Sequence, residues 1–161
     1  MARTSARGRW AWTVGSAAVL AAAGCTGLGP DDAVFQARAR TLPSVEGTLL
    51  ETTLEIHNAS NQTRTWVYGG CWSGSGVRIY RLGSSTAASW DSAPPPAAAC
   101  AAVRIELRLA PGQRQTLVRQ DRVEEILGDS LPPGRYRITV RPSFQGVALP
   151  ELDVGQHDLT F

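Results

Sequence analysis

The sequence predicts an all-β chain, an antiparallel β-sandwich of about seven short strands. Three observations predict it. Apolar and polar residues alternate with period two over several separate stretches. Turn residues separate these stretches at short intervals. Only one place, Asp121 to Leu127, changes to a helical spacing.

The elements follow in order. Ala33 to Ser44 is ambiguous between an edge strand and a single helical turn, with Val34, Phe35 and Leu42 as its larger apolar residues. The first clear strand runs from about Thr48 to His57, where Leu50, Thr52, Leu54 and Ile56 alternate with Glu51, Thr53 and Glu55. Asn58-Ala59-Ser60-Asn61 supplies a turn, and Gln62 to Tyr68 follows as a strand, most simply the partner of the first in a hairpin. Gly76 to Arg81 gives a short strand, and Ala87 to Asp91 a small pairing around Trp90. Ala102 to Leu109 should point Val103, Ile105, Leu107 and Leu109 inward. Ala110-Pro111-Gly112-Gln113 turns the chain into Arg114 to Gln120. Val123, Ile126 and Leu127 stand at helical spacing, and Gly128 ends that turn. Arg135 to Arg141 is the third clear strand, with Tyr136, Ile138 and Val140 inward, and short strands at Val147 to Leu149 and Asp158 to Phe161 close the fold.

Composition narrows the function. A chain of 161 residues holds one domain of ordinary size once a leader is set aside. All 16 basic residues are arginine, so a Walker A lysine, a Schiff-base lysine and a Ser–Lys dyad are excluded. Two histidines and three cysteines leave few metal or nucleophile candidates. Three arginines and no acidic residue lie in the first 24 positions, so the rest carries one net negative charge. Such a near-neutral domain offers no electrostatic footprint for nucleic acid.

The first 24 residues read as a signal peptide. Arg3, Arg7 and Arg9 precede an apolar run from Trp10 to Gly24. Fifteen helical residues rise about 22 Å, short of the roughly 30 Å hydrocarbon core. Ala22-Ala23-Gly24-Cys25 resembles the lipobox of bacterial lipoproteins, with Ala22 where leucine is usual. The resemblance implies cleavage before Cys25 and acylation of its thiol, with anchoring in the cell envelope. Thr26 rather than aspartate after that cysteine leans toward the outer membrane where the source has two membranes. The expected organisation is therefore a signal peptide over 1–24, a lipidated tether over 25–32, and the sandwich over 33–161.

With Cys25 carrying lipid, Cys71 and Cys100 remain, and an even remainder outside the cytoplasm favours a disulfide between them. A loop of about 30 residues would gain roughly 3–4 kcal/mol from it. Two free buried thiols and an intermolecular bridge are the alternatives. The spacing of these cysteines does not suit zinc.

From Thr48 to Val140 the chain resembles the bacterial intracellular proteinase inhibitor (BsuPI) domain, an immunoglobulin-like sandwich. The residues that carry this are Asn58 at a strand end, Trp66, Gly70-Cys71, Trp90, Leu109-Ala110-Pro111-Gly112, and Leu131-Pro132-Pro133-Gly134-Arg135-Tyr136-Arg137-Ile138. The resemblance implies protease inhibition but brings no inhibitory motif with it.

Candidate chemistry is sparse. Ser73 and Ser75 do not meet the Gly-x-Ser-x-Gly pattern. His57 and His157, with Asp153 or Asp158, sit at turns far apart in sequence, and Asp31-Asp32 and Glu124-Glu125 read as solvated pairs. Trp72, Trp90 and Tyr80 form a candidate binding surface, with core packing as the competing use of these rings. Tyr136 after Pro133-Gly134 reads as a tyrosine corner.

The expected function is a lipid-anchored, non-catalytic envelope module with a protein partner, no cofactor and no metal. A protease inhibitor acting through the 72–99 loop and a glycan-binding module using an exposed tryptophan are the alternatives.

Overall fold

The computed structural model describes residues 26–28, 33–69, 74–83, 87–93 and 103–161. Cys25, Cys71, Trp72 and Cys100 lie outside the described residues, as do the signal peptide and residues 73, 84–86 and 94–99 of the 72–99 loop. The strands are β1 (Thr26–Leu28), β2 (Ala33–Ser44), β3 (Gly47–Asn58), β4 (Arg64–Gly69), β5 (Ser75–Arg81), β6 (Trp90–Asp91), β7 (Arg104–Leu109), β8 (Arg114–Arg122), β9 (Gly134–Pro142) and β10 (Leu152–Leu159). One short helix, α1 (Val123–Leu127), falls between β8 and β9.

The strands build an all-β sandwich. One sheet runs β1-β2-β3-β8, the other β10-β9-β5-β6, and β4 and β7 form a two-stranded ribbon. Every pairing among these strands is antiparallel.

The ambiguous stretch from Ala33 resolves as a twelve-residue strand. Its register with β3 sets Phe35 opposite Ile56 and Ala37 opposite Leu54, so small and large apolar residues share the inner face. Val45 and Glu46 turn the chain between them, and Gly47 follows at φ 120°. That φ favours glycine, and a Cβ there would lie 2.4 Å from Glu124 Oε1 and push that carboxylate out of place. Glu124 uses that oxygen to accept from the Thr48 amide at 3.1 Å, which ties α1 back to the hairpin.

Two apolar clusters fill the space between the sheets. In one, Phe35 meets Trp66 edge-on at 6.4 Å and Phe144 at 6.1 Å. In the other, Val123, Ile126 and Leu127 of α1 pack with Leu50, Ile79 and Ile138. The helix ends where Gly128, at φ 48°, donates its amide to the Glu124 carbonyl. Tyr136 is buried, and its hydroxyl donates to the Pro132 carbonyl four residues upstream, the tyrosine-corner contact.

Three expectations are corrected. The strand after Asn58 is not the hairpin partner of β3, because β3 pairs with β2 and β8 while β4 pairs with β7. Asn58 sits where the chain leaves β3. It is fully buried, and its Nδ2 donates to the Gln62 and Leu109 carbonyls at 2.8 and 2.9 Å. Its Oδ1 accepts from the amide and hydroxyl of Ser60 at 3.1 and 2.7 Å. All four hydrogen-bonding positions of the amide are thus filled, and they clamp the end of β3 to the end of β7. Second, Val103 and Ile105 point outward, 55% and 43% exposed, while Leu109 is buried. Here β7 has a single strand neighbour, β4, so alternation does not by itself select a buried side. Third, Thr26 to Leu28, inside the stretch expected to be a tether, pair with β2, Thr26 opposite Gln36 and Leu28 opposite Val34.

Candidate functional site

The outward faces of the two sheets hold most of the polar side chains. On the second sheet, Arg78 of β5 lies opposite Asp91 of β6 and opposite Thr139 of β9. Its Nε donates to Asp91 Oδ2 at 2.7 Å, and its Nη1 contacts Glu151 Oε1. Glu151 Oε2 accepts from the Tyr80 hydroxyl and the Thr139 hydroxyl, each at 3.1 Å. Arg137 lies over the Tyr80 ring at 4.5 Å and faces Asp153 at 3.8 Å. Arg135 closes the row on Asp158 at 3.0 Å.

Electrostatics bind this row together. The hydrogen bond to Asp91, against the cost of burial, raises the Arg78 guanidinium above its ordinary value. Burial pushes the Asp91 carboxyl up, but the Ala93 amide and Arg78 outweigh it and hold it below the usual range. Arg135 holds the Asp158 carboxyl low in the same way.

The first sheet presents a different face. Three rows cross β2, β3 and β8: Arg40–Glu51–Gln120, Arg38–Thr53–Val118 and Gln36–Glu55–Thr116. Glu51 accepts from Arg40 Nε and Gln120 Nε2, each at 2.8 Å, and these bonds, Gln120 first, hold its carboxyl low. Glu55 accepts from Arg114 at 2.6 Å. Both carboxylates are therefore occupied, and Arg38 between them has no hydrogen bond or ion pair among the described residues. Open cavities flank it, one of about 290 Å³ lined by Arg38, Arg40, Glu51 and Thr53, the other of about 180 Å³ lined by Gln36, Arg38, Thr53, Glu55 and Thr116. This groove can receive an anionic group on a guanidinium, with the Thr53 hydroxyl and the Gln36 amide beside it.

The sequence-derived candidates fall elsewhere. Tyr80 is 6% exposed, its ring under Arg137 and its hydroxyl on Glu151, so it offers no binding surface. Trp90 is half-buried against the core cluster that contains Ile79. Trp66 is 7% exposed. His57 stands on β3 and His157 on β10, in different sheets, and His157 Nε2 lies 3.2 Å from the Val154 carbonyl. Ser75 is buried. Among the described residues no group of histidine, cysteine and carboxylate side chains is placed to hold a metal ion.

The Arg38 groove escaped the sequence reading. Its signal was present: Phe35, Ala37 and Ala39 alternate with Gln36, Arg38 and Arg40. The small alanines made the period weak.

No protein-family model matches the chain, and no curated protein matches it. Similar solved structures include a β-glucosidase from Listeria innocua in complex with glucose, 17% identical over 78% of this chain and 16% of that one, TM-score 0.38. Others are β-glucosidase 3B from Thermotoga neapolitana in complex with α-D-glucose (17% identity, 78% and 17% coverage, TM-score 0.39) and a β-glucosidase from Erythrobacter marinus (16%, 74% and 15%, TM-score 0.37). The chain spans 16% of the length of the Listeria enzyme.

Proposed function

We propose that this chain is an exported lipoprotein whose β-sandwich acts as a non-catalytic binding or structural module of the cell envelope. The observation that carries this is the junction at Cys25. An apolar leader ends in Ala22-Ala23-Gly24-Cys25, and the residues just after it, Thr26 to Leu28, pair with β2. A cysteine at that boundary suits a role in anchoring, with the body of the fold made from the residues after it. The occupied acids and bases of the second sheet support a structural use of those groups rather than a chemical one. The domain's partner is a protein of the envelope.

Intact mass of the membrane-extracted protein, with and without reductant, tests this reading. The expected mass is that of residues 25–161 plus diacylglyceryl, and a two-hydrogen shift on reduction reports a Cys71–Cys100 bond. A mass that retains residues 1–24 with no acyl group overturns it.

A further inference from the structure

We infer that Arg38 is a phospholipid-binding residue, which takes the phosphate of a headgroup in the same leaflet as the lipid on Cys25. This rests on the reading that Cys25 is acylated. Three observations converge on it.

The first is position. Thr26 stands opposite Gln36, and Arg38 lies two residues further along the same strand, roughly 7 Å away. Any group attached at residue 25 starts one peptide unit, about 3.8 Å, from Thr26. The glycerol backbone of an acylated cysteine sits at the bilayer interface, at the depth of the neighbouring phosphates. With the lipid at that interface, the register leaves Arg38 a few residues' length from it, within reach of the neighbouring phosphates.

The second is charge. Arg40, Arg78, Arg114, Arg119, Arg122, Arg135 and Arg137 all have carboxylate partners. Among the described residues Arg38 has none, and the two acids nearest it in register, Glu51 and Glu55, are held by Arg40 and Arg114. Its five N–H donors are left for a ligand, and a guanidinium fork matches two phosphate oxygens.

The third is room. The cavities on either side of Arg38 are open to solvent and large enough for a phosphate, and Thr53 and Gln36 add neutral donors at their walls. Arg108, the other arginine without a partner among the described residues, lies on β7 in the separate ribbon and does not share this position.

The test uses the mature acylated protein, its lipid verified by mass, labelled with ¹³C at the arginine guanidinium carbon. It is reconstituted into vesicles of phosphatidylcholine and phosphatidylglycerol. Dephasing of guanidinium ¹³C by lipid ³¹P in solid-state NMR reads the contact. The expected result is a dephased signal that Arg38→Gln removes and Arg108→Gln leaves intact. Dephasing unchanged by Arg38→Gln, or absent from a protein shown to be acylated, overturns the inference while leaving the proposed anchoring in place. An unacylated mass overturns both. In a second arm the same protein, in maltoside micelles free of phosphate, is titrated with inorganic phosphate. No shift of the Arg38 resonance at millimolar phosphate is expected, and a saturating shift there overturns the lipid assignment in favour of a soluble phosphate ligand.

Discussion

The outer faces of the two sheets use arginine in opposite ways. On the second sheet Arg78, Arg135 and Arg137 each meet a carboxylate, and Glu151 collects Arg78, Tyr80 and Thr139 at once. On the first, Arg40 and Arg114 consume the two acids and leave Arg38 over. One face is closed by its own charges and holds strands together. The other keeps a cation in reserve beside open volume. Arginine content alone therefore says little about binding, because the cross-strand register decides which guanidinium is already satisfied.

Breaking the buried clamp between the first sheet and the β4–β7 ribbon should have the largest effect. In Asn58→Asp a carboxylate oxygen replaces the Nδ2 that now donates to two carbonyls, inside a fully buried site. A loss of about 3–5 kcal/mol in denaturant unfolding is expected.

Glu151→Ala attacks the closed face alone. It strands the Tyr80 and Thr139 hydroxyls and one side of Arg78, at a site where the Glu151 side chain is 27% exposed. About 2 kcal/mol should be lost, less than for a sealed pair because solvent reaches the site. Equal stability of the variant and the parent in urea would show that the row is decorative.

Acid sharpens the contrast. Asp91 and Asp158 on one face and Glu51 on the other all have carboxyls held below their ordinary values. Groups depressed in this way stabilise the fold above their unfolded values and lose that contribution as pH falls through the folded ones. The urea midpoint should therefore be flat above about pH 5 and fall below about pH 4. Glu51→Gln should remove the first sheet's share of that fall and leave the second sheet's share.

The smallest effect belongs to the reserve cation. Arg38→Gln should change stability by less than about 0.5 kcal/mol, since it breaks no hydrogen bond or ion pair among the described residues. A larger loss of unfolding free energy would give Arg38 a structural role.

The parts of this molecule legible in the sequence are those whose neighbours are local or whose pattern is strong. The alternation Leu50, Thr52, Leu54, Ile56 located β3, and Tyr136, Ile138, Val140 located β9, because most inner residues are large and lie against the core. Val123, Ile126 and Leu127 announced the one helix for the same reason, and Pro132 to Tyr136 carried the corner. Val103 and Ile105 misled because alternation gives the two sides of a strand without saying which side another layer will cover. The Asn58 clamp was read only as a turn, since its second carbonyl, that of Leu109, is 51 residues away. Charge matching was invisible for a similar reason: Glu151 and Arg78 are 73 residues apart, and only the strand register brings them together.

One consequence follows from the outermost place of β8 in its sheet. Nine residues there, Arg114–Arg122, lie along an edge with β3 as the neighbour on one side. A second copy aligned antiparallel on that edge and centred on Val118 would set Arg114 against Arg122 at both ends of the new seam. Arg114 and Arg122 already meet Glu55 and Glu46 within the chain, so each margin of that seam would bring two ion pairs together rather than two bare cations. The openness of this rim to a neighbouring strand is thus set by how firmly those acids keep their guanidinium groups.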